Sequence, residues 1–328
     1  MTPTQYKIRL MRAVFVGGIV LCVGKFIAYY YTHSNAILSD ALESIINIVA
    51  GGIATFGVSF AARPKDEDHP YGHGKIEFIS AGAEGGLIFL AGLYIIYKGI
   101  TSLIDQHELA ALDLGLIITS GAGLINFFMG SVLIRTGRKH HSAILVADGK
   151  HLLTDTVTSV GVLIGILLVY LTGLLWIDSV AAILFALYIL YTGYKLIQES
   201  MKTLLDKADY AKLNELILLF KENRREKWVD IHNLRTQKYG SDLHVDCHIT
   251  LPWYDTLDES HKEVDYLREM VQENMANDVE FFVHADPCLP PKSCTVCILS
   301  SCAYRKADLV QKVEWSIETL LPNQKHSA

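Results

Sequence analysis

Residues 1 to about 203 contain six long apolar runs, at roughly 8–31, 36–62, 76–104, 112–136, 143–171 and 175–201. A membrane-spanning helix needs about 20 mainly apolar residues, and each run meets that length. The chain averages of 51% hydrophobic and 20% charged residues hide a split, because residues 206–328 are polar and charged. The pattern predicts a six-helix membrane part followed by a soluble part. The first run, with "VFVGGIVLCVGKF", is too long and evenly apolar for a cleaved leader and reads as a retained helix.

Lysine and arginine in the short connections predict the orientation. One side carries Lys7, Arg9 and Arg12, then Arg63, Lys65 and Lys75, then Arg135, Arg138 and Lys139. The opposite connections, 32–36, 105–113 and 172–178, carry none. Both termini and the soluble part are therefore expected in the cytoplasm. The net charge of −6 says little about partners, since it is divided between compartments.

Two of the apolar runs carry matching polar stripes. "SDALESIIN" presents Asp40, Glu43 and Asn47, and "ADGKHLLTD" presents Asp148, His151 and Asp155. Residues three, four and seven apart share one helix face, and an ionisable residue within a membrane is costly unless paired, hydrated or bound to an ion. Facing the stripes together gathers Glu43, Asn47, His151 and Asp155, enough for a tetrahedral divalent site. The alternative is a buried hydrogen-bond network or a water-filled crevice without an ion. Asp40 and Asp148 lie one turn outside this set and are left to cap, hydrate or guide.

Three further clusters stand out. "RPKDEDHPYGHGKIE" crowds Asp66, His69 and His73 into eight residues, a metal site with an open position or a solvated loop. In the soluble part, helical spacing over 210–224 is followed by alternating strands "WVDIHNLRTQKYG" and "DLHVDCHITLPWY" turning at Gly240-Ser241. A helix over 258–275, with Asp258 as N-cap, and a strand over 278–287 complete an α-β-β-α-β order, which suggests a two-layer α+β domain. Its candidate ligands are His232, His248, His261, His284 and Asp286. Finally, four of the six cysteines, Cys288, Cys294, Cys297 and Cys302, fall within fifteen residues on the expected reducing side. Disulfides are disfavoured there. Structural Zn²⁺ is the first reading, an iron–sulfur cluster the second and unliganded thiols the third. Residues 306–321 are expected to form a short amphipathic helix. The expected domains are 1–205, 206–287 and a cysteine-rich tail over 288–328.

In combination, the two polar stripes, "DEDHPYGHGK", "IHNLRT" and the closing "VHADP" resemble the cation diffusion facilitator family, and within it the bacterial zinc and iron efflux branch, over about residues 8–287. The resemblance implies a six-helix homodimer with a metallochaperone-like cytoplasmic domain, exchanging a cytoplasmic divalent metal ion for protons. It implies a transport site at Glu43, Asn47, His151 and Asp155 and a loop site at Asp66, His69 and His73. It further implies two zinc ions at His232, His248, His261, His284 and Asp286, and a charged pair, Lys75 and Asp206, tying helices to soluble domain. The chain departs from the family at Glu43, where Asp or His is usual, and at Asn47, where Asp is usual. Three oxygens and one nitrogen make a harder site than a two-histidine zinc site, so iron(II), manganese(II) and cobalt(II) join zinc as expected cargo.

The expected function is proton-driven efflux of a divalent transition metal across the cytoplasmic membrane, with His151 as the proton-linked ligand because its ordinary pKa of about 6.5 is near working pH. The rivals are a membrane metal sensor and a sodium–proton antiporter. Neither a nucleophile–base set nor a nucleotide loop is apparent, so an enzyme is not expected, and no nucleic-acid partner is implied.

Overall fold

The computed structural model describes residues 3–32, 35–104, 113–172, 176–275 and 279–327. They form two compact units, Met1–Leu205 and Asp206–Ala328.

The first unit is built from α1 (Pro3–Thr32), α2 (Asn35–Ala61), α3 (Ile76–Ile104), α4 (Asp113–Lys139), α5 (Ala143–Thr172) and α6 (Trp176–Leu204). Among the described residues, Thr4–Tyr31, Ile76–Ile104 and Ser179–Leu204 are long and apolar enough to cross a membrane. The lysine- and arginine-free connections lie mostly outside the described residues. Val16, Val20, Leu90, Tyr97, Leu184 and Leu187 are exposed, an apolar surface of the kind that lipid covers. Inside, α3 lies along α6, α4 along α5 and α1 along α2.

Small residues set how close these pairs come. Gly85, Gly92 and Gly99 recur every seven residues on α3. A methyl group at Gly92 would meet Leu190 Cγ at 2.9 Å, and one at Gly99 would meet Ile183 Cγ1 at 2.7 Å. From the other side, a methyl at Gly193 of α6 would lie 2.7 Å from the Phe89 nitrogen. The polar side chains at the end of the bundle are paired. Glu77 accepts a 2.6 Å bond from the Ser142 hydroxyl and stands 3.7 Å from Lys7 Nζ.

The second unit runs α7 (Tyr210–Glu222), β1 (Asp230–Tyr239), β2 (Asp242–Leu251), α8 (Leu257–Asn274), β3 (Val279–Pro287) and, after a 3₁₀ turn over Lys292–Thr295, α9 (Ile317–Leu320). The expected α-β-β-α-β order is present. β1 and β2 pair antiparallel across the two residues Gly240 and Ser241, and Gly240 supplies the positive φ of 66° that the turn needs. α8 is the crossover that lets β3 join β2 in parallel. The core gathers Leu216 and Phe220 from α7, Val245, Cys247 and Ile249 from β2, Leu267 and Val271 from α8, and Trp228 and Trp315.

Two local expectations change. The N-cap of α8 is Thr256, not Asp258. The Thr256 hydroxyl accepts from the Glu259 N–H at 3.3 Å, and Glu259 Oε2 accepts from the Thr256 N–H at 2.8 Å. This reciprocal box satisfies two orphan donors, where Asp258, already inside the first turn, would satisfy one. The helix expected over 306–321 forms only over Ile317–Leu320. Val313 and Trp315 are both buried, and residues two apart share a face in extended chain rather than in a helix. Arg224 secures this segment, donating to the Val313 carbonyl at 2.7 Å and stacking 4.0 Å from the Trp315 ring centroid.

The last residues are tied to β1. The Asn233 N–H donates to the Pro322 carbonyl at 2.9 Å, and His326 Nδ1 lies 2.6 Å from Asp230 Oδ1. That bond raises the His326 pKa above its ordinary 6.5. A raised folded-state value stabilises fully below 6.5 and is lost as pH rises through the folded value. Hydrogen exchange of residues 322–327 should therefore accelerate, beyond the intrinsic base-catalysed trend, as pH climbs above 6.5. A His326→Ala protein should show no such extra step, and an identical profile in both proteins would remove the assigned role.

Candidate metal centres

The α2 and α5 stripes meet. Asn47 Nδ2 donates to Asp155 Oδ2 at 2.8 Å, and Asn47 Oδ1 stands 3.2 Å from His151 Nε2. Three of the four residues expected to bind the cargo thus touch side chain to side chain across two helices. The side chains of Glu43 and Asp40 lie outside the described residues. A cavity of about 50 Å³ adjoins the seam, lined among others by Lys25, Ser44, Asn47, Asn126, Asp148 and His151. That is room for an ion or a few waters, since one water needs about 10–15 Å³ of such space.

Two groups beside this seam escape a reading of the stripes alone. Lys25 of α1 reaches the cavity and donates to Ser44 Oγ at 2.9 Å. Glu84 of α3 is fully buried, with no hydrogen-bond partner for either carboxylate oxygen among the described residues. It stands in Coulomb range of Asp148, whose Oδ2 is likewise unpartnered. The signal for both was in the sequence, as ionisable residues inside apolar runs. Lys25 lacked a second residue at helical spacing to make it stand out, whereas Glu84 has one in Glu77, seven residues before it.

The connection between α2 and α3 folds Asp66, His69 and His73 into one cluster with ligand atoms within 4.8 Å of one another. Asp66 Oδ1 lies 3.0 Å from His69 Nδ1, and Asp66 Oδ2 lies 3.3 Å from His73 Nε2. Gly72, at φ +88°, makes the bend, and its N–H donates to the His69 carbonyl at 2.9 Å. The His69 hydrogen bond holds the exposed Asp66 carboxyl below its usual range, so it stays an anion.

In the soluble unit, sheet register builds the site. His232 pairs with His248 on β2, and His248 pairs with His284 on β3. The three rings form one row, with centroids 5.1 Å and then 4.8 Å apart. A β-bulge follows at Asn233, whose φ of 54° is one that asparagine tolerates. Asp286, two residues after His284 and so on the same face, reaches the row. Its carboxylate lies 3.2 Å from His248, 3.6 Å from His232 and 3.7 Å from His284. His232, His248 and Asp286 satisfy metal-ligand spacing together. His261 stands apart on α8, its Nε2 3.4 Å from Asp265. Burial keeps the His248 ring below the usual histidine range, which leaves it neutral, with a lone pair for metal, at neutral pH. Lys325 Nζ stands 3.2 Å from Asp286 Oδ1.

Comparison with known proteins decides the family. Residues 11–205 match the cation efflux transmembrane domain, and residues 205–288 match the cytoplasmic domain of cation efflux proteins. The chain belongs to the cation diffusion facilitator family. Among its relatives, an uncharacterized transporter of Synechocystis sp. is 33% identical over 267 residues, covering 81% of this chain and 86% of that protein. The cation-efflux pump FieF of Shewanella oneidensis is 27% identical, covering 84% of this chain and 92% of the pump. Metal tolerance protein 2 of Oryza sativa subsp. japonica is also 27% identical, covering 84% of this chain and 77% of that protein. The protein is thus a membrane-embedded transporter of divalent metal cations, with a helical transmembrane domain and a small α/β cytoplasmic domain.

Asp286 touches every ring of the histidine row. Asp286→Ala should therefore weaken divalent-metal binding at the sheet at least tenfold, about 1.4 kcal/mol, by titration of the detergent-purified protein. Unchanged binding there would separate the row from any metal.

Proposed function

We propose that the protein exports a divalent transition-metal ion from the cytoplasm in exchange for protons, with Glu43, Asn47, His151 and Asp155 as transport ligands. The observation that carries this reading is the contact of Asn47 with both Asp155 and His151 beside a small cavity. With the amide nitrogen on Asp155, Asn47 Oδ1 accepts from His151 Nε2–H. An incoming cation needs the same Asn47 oxygen, a carboxylate oxygen of Asp155 and a deprotonated Nε2. When the His151 ring is an imidazolium, metal entry must release a proton because both need the Nε2 lone pair, and that exchange is the chemical basis of antiport; a neutral ring would only move its proton to Nδ1. Three oxygens and one nitrogen suit iron(II), manganese(II), cobalt(II) and zinc.

In this reading the protein works in the cytoplasmic membrane with both termini inside, as the lysine and arginine asymmetry supports. It acts as a homodimer through residues 206–287, supported by the match to the family's cytoplasmic domain. His232, His248, His261, His284 and Asp286 hold regulatory zinc, and Asp66, His69 and His73 hold a further ion.

The test is transport in proteoliposomes under an imposed pH gradient, with Zn²⁺, Fe²⁺, Mn²⁺, Co²⁺ and Na⁺ offered in turn. Asp155→Ala should abolish metal flux while the protein still elutes as a folded dimer. Wild-type flux in that variant would refute the site. Sodium flux without metal flux would replace the metal reading, and metal binding without flux would make the protein a sensor.

Asn47→Asp adds a charge to the ligand set and places two carboxylates face to face. It should raise metal affinity about tenfold, about 1.4 kcal/mol, and shift preference from manganese towards zinc and cadmium. A metal profile identical to wild type would take Asn47 out of the ligand set.

A further inference from the structure

Beyond β3 the chain turns into a segment that the matched cytoplasmic domain, ending at residue 288, does not include. Residues 288–305 bury few apolar side chains. Among the described residues, Cys294, Val296 and Cys297 are the buried hydrophobic ones there. The segment is nonetheless folded tightly around its cysteines. Cys288, Cys294, Cys297 and Cys302 are all free thiols and line one small cavity, walled by Trp253, Tyr254 and Tyr304.

Two of the sulfurs accept a hydrogen bond. The Lys306 N–H donates to Cys294 Sγ at 3.5 Å, and the Tyr254 hydroxyl donates to Cys302 Sγ at 3.5 Å. Donors aimed at sulfur suit thiolates, which accept strongly, far better than thiols, which accept weakly. Arg305 completes the frame. Its guanidinium donates to the carbonyls of Cys294, Cys297 and Leu299 at 3.2, 3.1 and 2.7 Å. It draws the loop's carbonyl oxygens to itself and brings a positive charge beside the sulfurs. Cys288 is anchored from the sheet, its N–H donating to the Leu251 carbonyl at 2.8 Å.

We propose that these four cysteines bind one thiolate-ligated metal centre, a Zn²⁺ ion or an iron–sulfur cluster, which holds the tail against the soluble unit. Four sulfurs line one cavity and supply the ligand number of either centre, and since no three of them stand within 4.8 Å of one another, metal binding would draw them together. The centre has no part in carrying the cargo, because a closed four-thiolate shell leaves no position for exchange. It is independent of the transport reading.

The experiment uses the full-length protein purified without oxygen in detergent, compared with the Cys294→Ser, Cys297→Ser double variant. Metal, sulfide and visible absorption are measured in both. We expect the wild type to carry one more zinc equivalent per chain than the variant, or else iron and sulfide with a visible charge-transfer band that the variant lacks. The first result assigns an ion and the second a cluster, and both support the site. The variant should also be cut faster by protease within 288–305, with metal flux retained. Should the variant fail to fold, alkylation of the wild type decides. The four thiols should resist iodoacetamide until a chelator has stripped the metal. Equal metal content in wild type and variant, or alkylation that neither bound metal nor chelation changes, overturns the proposal.

Discussion

A charge held at membrane depth must find a partner, water or an ion, and the transmembrane unit is organised around that demand. Asn47, His151 and Asp155 meet one another across α2 and α5 instead of meeting lipid. Asn47 is well chosen for the middle of this seam, because an amide donates through nitrogen and accepts through oxygen at once. It therefore satisfies a carboxylate on one side and an imidazole on the other. An aspartate at the same place would offer acceptors only, and two facing carboxylates would need a cation or a proton between them.

The soluble unit reaches a metal-ligand arrangement by a different route. There the histidines come from three strands, and the sheet's pairing rather than helical spacing aligns them. Asp286 then spans the row from the next position on the same face. The bulge at Asn233 absorbs an extra residue just beyond His232, so the remainder of β1 pairs on without displacing the histidine from its row.

How much of this was legible in the sequence depends on the range of the interaction. The polar stripes on α2 and α5 could be read because a helix repeats every 3.6 residues, so spacing alone puts side chains on one face. The α-β-β-α-β order was legible from alternation and turn residues. That His232, His248 and His284 would align in one row was not, since register is a long-range property of strands. Lys25 was hidden for the opposite reason, as a single charge with no local pattern. Asp258 looked like a cap because aspartate commonly is one, yet Thr256 with Glu259 satisfies two backbone groups where a lone aspartate satisfies one. The segment before α9 had helical composition, but Val313 and Trp315 needed the same core, and tertiary burial overrode local preference.

The glycines at 85, 92 and 99 have a mechanical consequence. With backbones near contact along their length, α3 and α6 cannot roll or slide against each other without driving Leu190, Ile183 or Phe89 into the opposing chain. Such a pair behaves as a single stiff beam. Any rearrangement that opens the α2–α5 seam first to one side of the bilayer and then to the other must be absorbed by the remaining helices. In the proposed exchange cycle such a pair would move as one body.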